Sequence, residues 1–202
     1  MHEILIRLAN MGANKSKKEL GTEELDYLMK QTNMDESTIK EWYYGFMKDC
    51  PNGKMTQERL FNMYKLLIPK GNPRKFCKHV FRAFDKDSNG HIDFCEFLLA
   101  INITSSANPE EKVRWAFNIY DINRSGSITQ SEFTKVIEAI YEMLGVNIKK
   151  PGINPKERAK QLFEELDTDS DTLVTVEEFV QLCMENADLK NLLVPELTQN
   201  VQ

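Results

Sequence analysis

Three segments of the chain repeat one pattern without gaps, and this repeat constrains the fold more than any other feature of the sequence. They read FRAFDKDSNGHIDFCEF from Phe81, FNIYDINRSGSITQSEF from Phe117 and FEELDTDSDTLVTVEEF from Phe163. In each, a Phe stands four residues before an Asp, an apolar residue comes seven after that Asp, and Glu-Phe closes the segment. Because an internal repeat defines the architecture of a whole chain, it is considered before any local feature.

The spacing matches the helix–loop–helix calcium-binding pattern of the EF-hand. Calcium takes about six to eight oxygen ligands, and one loop of about twelve residues must supply nearly all of them. A further copy precedes the three segments, so they are called the second, third and fourth hands in chain order. In the second hand, which begins at Phe81, Gly90 permits the sharp left-handed turn. An acidic, solvated loop with an incidental glycine is the alternative, and the complete pattern disfavours it. The predicted ligands there are Asp85, Asp87, Asn89, the His91 carbonyl, Asp93 and Glu96.

The third hand carries fewer carboxylates. Thr129 is expected to reach the ion through water, and Arg124 lies nearby. Since ligand charge raises calcium affinity, this site should bind more weakly than the second unless rigidity compensates, and a purely structural hand is the alternative. The predicted ligands are Asp121, Asn123, Ser125, the Ser127 carbonyl and Glu132.

The fourth hand restores four carboxylates but places Thr172 where a glycine is expected. A β-branched residue held at positive φ costs about 1–3 kcal/mol. The loop should therefore either carry this strain or adopt a looser geometry. The predicted ligands are Asp167, Asp169, Asp171, the Leu173 carbonyl and Glu178.

One further copy of the pattern, the first hand, precedes these three and is damaged. Lys48 stands at its first position, Cys50 at its third and Arg59 in place of the last glutamate. Positive charges at ligand positions exclude calcium. We therefore expect two or three calcium ions per chain, with Mg²⁺ as a competitor.

EF-hands pair through a short antiparallel contact between their eighth loop residues. That rule pairs Met55 with Ile92 and Ile128 with Val174. The predicted fold is all-α, with four EF-hands paired into two lobes. The predicted segments are an N-terminal extension (1–35), an N-terminal pair (36–103), a linker (104–109), a C-terminal pair (110–187) and a tail (188–202).

The tail holds Leu189, Leu192, Leu193 and Leu197 at near-helical spacing, with Pro195 able to end a helix. It is expected either to form a short helix that caps its own lobe or to act as a mobile arm that competes for a groove. The sequence does not separate these two interpretations.

The composition excludes several classes of function. A formal charge of −5 disfavours general nucleic-acid binding. The four cysteines lie far apart with no CxxC pair, so neither a zinc cluster nor a thioredoxin-like site is indicated. Cys77 and His79 are two residues apart on one helix and point to different faces. Without a recognisable catalytic motif, the chain is not expected to be an enzyme.

Beyond the loops, three stretches resemble the neuronal calcium sensor family: WYYGFMKDCPNGKMT from Trp42, KFCKHVFRAFD from Lys75 and EEKVRWAFNIYD from Glu110. The resemblance extends from about Gly12 to Met184. It implies a groove that binds a target helix, although several of the corresponding residues would be ordinary core in any EF-hand pair. Those residues are Trp42, Phe46, Leu60, Tyr64, Leu67, Phe97 and Ile101.

The family's N-terminal myristoylation motif matches residues 11–16, Met-Gly-Ala-Asn-Lys-Ser. Gly12 is internal in the sequence as written. Its acylation therefore requires initiation at Met11 or removal of the first eleven residues. The alternative is an upstream extension that abolishes acylation. If the lipid is present, nearby lysines supply the second signal that one myristoyl chain needs.

The resemblance implies a calcium sensor that exposes an apolar groove and regulates a membrane-associated target protein. A cytosolic calcium buffer that binds no target is the alternative. Expected partners are an amphipathic helix of a receptor kinase, cyclase, lipid kinase or channel, an anionic membrane surface, and a second copy of the chain in a weak dimer. The expected location is the cytoplasm, with reversible membrane association if the chain is acylated.

Overall fold

The computed structural model of the chain describes residues 19–147 and 152–194, and the Leu67 side chain also lies outside this description. The N-terminal part contains α1 (Thr22–Thr32), α2 (Glu36–Asp49), α3 (Gln57–Leu67), α4 (Arg74–Phe84) and α5 (Phe94–Ser105). The C-terminal part contains α6 (Pro109–Tyr120), β1 (Ser127–Thr129), α7 (Gln130–Met143), α8 (Pro155–Leu166), β2 (Leu173–Thr175), α9 (Val176–Glu185) and α10 (Ala187–Leu193).

The loops of each pair of hands meet at their eighth residues. In the N-terminal pair, Met55 and Ile92 form an antiparallel bridge with two backbone hydrogen bonds of 2.9 and 3.0 Å. In the C-terminal pair, β1 and β2 are antiparallel, with Ile128 opposite Val174. All four side chains are almost completely buried. The predicted helical fold of EF-hands paired into two lobes is confirmed.

The helices that leave the second, third and fourth loops begin with the same capping arrangement. At the start of α5, the Asp93 side chain accepts a hydrogen bond from the Glu96 N–H, and the Glu96 side chain accepts one from the Asp93 N–H. Thr129 with Glu132 begins α7 in the same way, and a third capping box begins α9. Such boxes satisfy amide groups that have no partner within the helix. The last glutamate of each loop is thereby held at a fixed place.

α1 lies inside the segment expected to be an extension, and its sequence had not indicated a helix. Its Leu25 and Leu28 are buried, and the helix packs against α2 and α5. Burial of two leucines three residues apart gives α1 an apolar face toward the N-terminal pair. This spacing was the available sequence signal for the helix.

The first part of the predicted tail packs on its own lobe as α10. Leu189 and Leu193 are buried there, and the Tyr120 hydroxyl donates a 2.9 Å hydrogen bond to the Leu193 carbonyl. This arrangement matches the interpretation of the tail as a cap for residues up to Val194. Pro195 and Leu197 lie outside the described residues.

Candidate metal centres

Each of the last three loops places its first aspartate directly after a helix. Asp85 follows α4, Asp121 follows α6 and Asp167 follows α8. The Asp85 carboxylate accepts hydrogen bonds from the N–H groups of Asn89 (3.0 Å) and Gly90 (3.1 Å), and the other two aspartates accept the equivalent pair. These bonds fold each loop around its first carboxylate.

The second loop brings together three of the four acidic ligands that its sequence predicts, whereas the Asp93 carboxylate accepts a hydrogen bond from the Glu96 N–H and lies outside the group. One carboxylate oxygen from each of Asp85, Asp87 and Glu96 lies within 4.8 Å of the others. Burial raises the pKa of Glu96, although three backbone N–H groups donate to this carboxylate and oppose the rise. A divalent cation would offset the repulsion among these groups. The oxygen-only donor set fits calcium or magnesium rather than a softer metal.

The third loop holds its last glutamate by hydrogen bonds. Burial acts to raise the pKa of Glu132, but hydrogen bonds donated to its carboxylate outweigh the effect of burial and lower the pKa overall. Those donors include the Thr129 N–H at 3.0 Å, the Thr129 hydroxyl at 2.7 Å and the Asn123 N–H at 3.1 Å. The hydroxyl of Ser125 donates to the Ser127 carbonyl at 2.9 Å, so two predicted ligands are in contact. The carboxylate of Glu132 is therefore ionised and oriented into the loop.

The fourth loop keeps the EF-hand turn in spite of Thr172. Thr172 has φ of +73°, close to the +85° of Gly90 and the +87° of Gly126 at the same loop position. Its N–H donates to Asp167 Oδ2 at 3.0 Å, as the two glycines donate to their own first aspartates. Of the two outcomes predicted from sequence, the loop therefore carries the strain.

Three of the four predicted acidic ligands of the fourth loop also converge, and Glu178 is not among them. Oxygens of Asp167, Asp169 and Asp171 lie within 4.8 Å of one another. Burial raises the pKa of Glu178, but hydrogen bonds from Thr175 and Thr168 outweigh it and lower the pKa to about 2. The Thr168 hydroxyl and the Thr175 hydroxyl each donate at 2.8 Å. This glutamate is ionised over the whole physiological pH range.

The first loop has a different geometry. α2 continues through Lys48 to Asp49, whereas the helices before the other loops end just before the first ligand position. Arg59 forms an ion pair of 2.5 Å with Asp49, which joins the two ends of the loop. Cys50 is buried, and burial raises the pKa of its thiol to about 11. An internal ion pair thus connects the loop ends that a calcium ion connects in a functional hand.

The predicted groove residues are mostly core in this structure. Phe46 packs against Phe97 with ring centroids 5.1 Å apart, and Trp42, which is partly exposed, lies 6.3 Å from the same ring. The Leu67 side chain and Gly12 lie outside the described residues. The remaining predicted groove residues, Leu60, Tyr64 and Ile101, are at most 4% exposed.

Arg124 has a role that sequence analysis missed. Its side chain leaves its own third loop and contacts the backbone of the second. No spacing or motif in the sequence indicates this contact, because the two loops meet only in the tertiary structure.

Comparisons with known proteins agree with this geometry. A family model described as an EF-hand domain pair matches residues 110–184, and an EF-hand model matches residues 78–99. The chain is 41% identical over 173 residues to neuronal calcium sensor 1 of Lymnaea stagnalis, covering 85% of this chain and 90% of the relative. The chain belongs to the neuronal calcium sensor family. The corresponding protein of Aplysia californica is 40% identical over 173 residues, with the same coverage.

Human recoverin is 31% identical over 187 residues, covering 91% of this chain and 93% of recoverin. Membership of the family confirms the resemblance, calcium as the expected ion, a role as a calcium sensor and the expectation that the chain is not an enzyme. Among the described residues, no helix combines the length and apolarity needed to cross a bilayer.

Proposed function

We propose that the second, third and fourth loops of this calcium sensor bind the ion through the predicted ligands, that the first loop binds none, and that binding exposes the predicted groove to a target helix. Three ions would then bind per chain, the upper end of the expected two or three. The converging carboxylates of the second and fourth loops support the ligand assignment. The Arg59–Asp49 ion pair supports the exclusion of the first loop.

One observation carries the proposal that ion binding moves the groove. Glu96, the last ligand of the second loop, directly precedes Phe97 in α5. Phe97 is buried and contacts both Phe46 and Trp42 on α2. Because the capping box fixes Glu96 to the start of α5, any shift of Glu96 that supplies two oxygens to the ion would move α5 and change the Phe97 contacts to α2. Calcium-driven opening of a helix pair in EF-hand sensors follows the same logic.

A target-binding sensor explains this arrangement better than a calcium buffer does. A buffer changes the angle between its helices very little when it binds the ion. In this chain the apolar side chains between α2 and α5 lie next to a ligand, so opening would expose a continuous aromatic surface. An amphipathic helix of a receptor kinase, cyclase, lipid kinase or channel is the proposed occupant.

Membrane association is part of the same proposal. Three bound ions, each of charge +2, would change the formal charge from −5 to about +1 and remove repulsion from anionic lipid. If the chain starts at Met11, acylation of Gly12 would add a lipid to the neighbouring lysines. The proposed location is the cytoplasm, with reversible attachment to anionic membranes when the chain is acylated.

Glu96→Gln and Glu178→Gln form a matched pair that tests the proposal. By calorimetry, each variant should bind one calcium ion fewer than the unmodified chain. Only Glu96→Gln should abolish the calcium-dependent fluorescence of a polarity-sensitive dye bound to the N-terminal groove. An unchanged stoichiometry in Glu96→Gln would show that the ligand assignment is wrong. Absence of any dye response in the unmodified chain would favour the calcium buffer.

A further inference from the structure

Arg124 joins the third loop to the second. Its Nη1 donates to the Lys86 carbonyl at 2.8 Å and to the Ser88 hydroxyl at 2.7 Å. Its Nη2 donates to the Arg82 carbonyl at 2.8 Å and to the carbonyl of Asp85, the first ligand of the second loop. A single guanidinium group therefore contacts four residues on or beside the second loop.

Arg82 makes the reverse contact. It lies on α4, which enters the second loop, and its Nη2 donates to the Ile119 carbonyl at 2.7 Å and to the Asn118 carbonyl at 3.5 Å. Those carbonyls belong to the last turn of α6, which enters the third loop. Each of the two helices that lead into these loops thus ends against an arginine from the other hand.

The physical effect of these contacts follows from the chemistry of a helix end. The last four carbonyls of a helix have no partner within the helix, and they carry partial negative charge. A guanidinium group satisfies them with a planar, rigid fork of donors, which a lysine ammonium cannot reproduce. Arg124 therefore fixes the end of α4, from which Asp85 enters the second loop, at a set position relative to the third.

The partners of Arg124, rather than its backbone, set this residue apart from its equivalents. Its φ of +60° is shared by Ser88 and Ser170, at +59° each, in the other two loops, so the left-handed turn belongs to the loop. Arg124 alone of these three residues is an arginine, and its side chain has four hydrogen-bond partners in another hand.

We infer that Arg124 is a positioning residue that couples calcium binding in the second loop to calcium binding in the third. When calcium fills one loop, it orders the backbone that takes part in the arginine contact. The other loop then needs less reordering to bind its own ion. The effect should be reciprocal, as any coupling between two binding sites must be. This inference rests on the proposed ligands of the two loops, but it does not depend on groove exposure or on a target.

The coupling can be measured with calcium as the only ligand. Glu178→Gln removes the fourth loop from every protein compared. In that background, calorimetry is done with the second and third loops intact, with Glu132→Gln leaving the second loop alone, and with Glu96→Gln leaving the third alone. The coupling factor is the product of the two association constants in the first protein divided by the product of the two single-loop constants.

We expect a coupling factor of at least about fivefold with Arg124 present, within the usual range for linked sites. Arg124→Lys keeps the charge but removes the fork, so the factor should fall to about one while both single-loop affinities stay within about twofold. Arg114→Lys is the matched control. A cleft of about 620 Å³ is lined by Arg124 and Arg114, and Arg114 makes ion pairs with Glu110 and Glu177 rather than with the second loop. Its replacement by lysine should leave the coupling factor unchanged.

A factor near one in the protein with Arg124, or an equal factor in Arg124→Lys, would overturn the inference. Loss of affinity in the single-loop proteins carrying Arg124→Lys would also overturn it, because Arg124 would then support each loop separately. If the single-loop proteins with Arg124 bind no calcium, the ligand assignment falls and the coupling falls with it. Groove exposure is tested separately by the dye, so failure of the coupling leaves that part of the proposed function intact.

Discussion

Replacing Thr172 with glycine should stabilise the calcium-loaded protein by about 1 kcal/mol. Thr172 has φ of +73°, and this conformation costs a β-branched residue about 1–3 kcal/mol. Removing this strain stabilises the folded protein. Glycine offsets roughly 0.5–1 kcal/mol of that stabilisation, because it loses more conformational freedom on folding. For a chain of this size, the remaining gain should raise the midpoint of thermal unfolding by about 2–4 °C.

The third loop offers the reverse substitution as a control. Gly126 has φ of +87°, and a Cβ added there would meet no atom within 4 Å. Gly126→Thr should therefore lower the free energy of unfolding by a similar amount, through backbone strain and without a steric clash. Neither substitution changes the charge or a predicted ligand.

Urea and thermal unfolding in saturating calcium measure both effects, and calorimetry shows whether they appear as calcium affinity. A strain of about 1 kcal/mol that is present only in the calcium-bound loop would change the affinity of that loop about fivefold. If Thr172→Gly fails to stabilise the protein or raise the affinity of the fourth loop, while Gly126→Thr destabilises it, the strain assigned to Thr172 is wrong.

Three further predictions concern the core and the tail. The Tyr64 hydroxyl is buried without a hydrogen-bond partner among the described residues, so Tyr64→Phe should raise the free energy of unfolding in urea by about 1 kcal/mol, and a decrease would reveal a partner. Burial, and then Arg82, lowers the pKa of His79 to about 4, so the unfolded chain binds a proton that the folded chain does not. The free energy of unfolding should therefore fall by about 2 kcal/mol between pH 6.5 and pH 4, after allowance for the partial exposure of His79. If His79→Gln gives the same dependence of stability on pH as the unmodified chain, this prediction is wrong. Leu193→Ala should destabilise the protein by about 2–4 kcal/mol because Leu193 is completely buried, whereas the same change at the partly exposed Leu192 should have a smaller effect, and equal losses would contradict the packing of α10.

The sequence by itself was sufficient to predict the loops and their pairing. Ligand spacing within a loop is local, so the separation of Asp85 and Glu96 alone is enough to predict them as ligands. The pairing of Met55 with Ile92 followed from the repeat, because each hand presents its eighth residue in the same way. Exclusion of calcium from the first loop is likewise predicted from the sequence alone, since Lys48 and Arg59 carry the wrong charge wherever the loop lies.

Other features depended on contacts between residues far apart in the chain. The geometry of the first loop includes the extension of α2 through Asp49, which the charge pattern alone does not specify. α1 is held by packing of Leu25 and Leu28 on the N-terminal pair, and two leucines at helical spacing do not identify the surface that will cover them. Short amphipathic helices gain most of their stability from such packing rather than from their own sequence.

The state of the groove and the contact between the loops were decided only by the tertiary structure. Family resemblance named Phe46 and Phe97, but burial of their rings against each other became apparent only once α2 and α5 were packed together. In the sequence, Arg124 is only a charged residue within a predicted calcium loop. Its guanidinium group finds carbonyl partners such as that of Arg82 because the two hands face each other, and that arrangement is a property of the whole fold rather than of any local spacing.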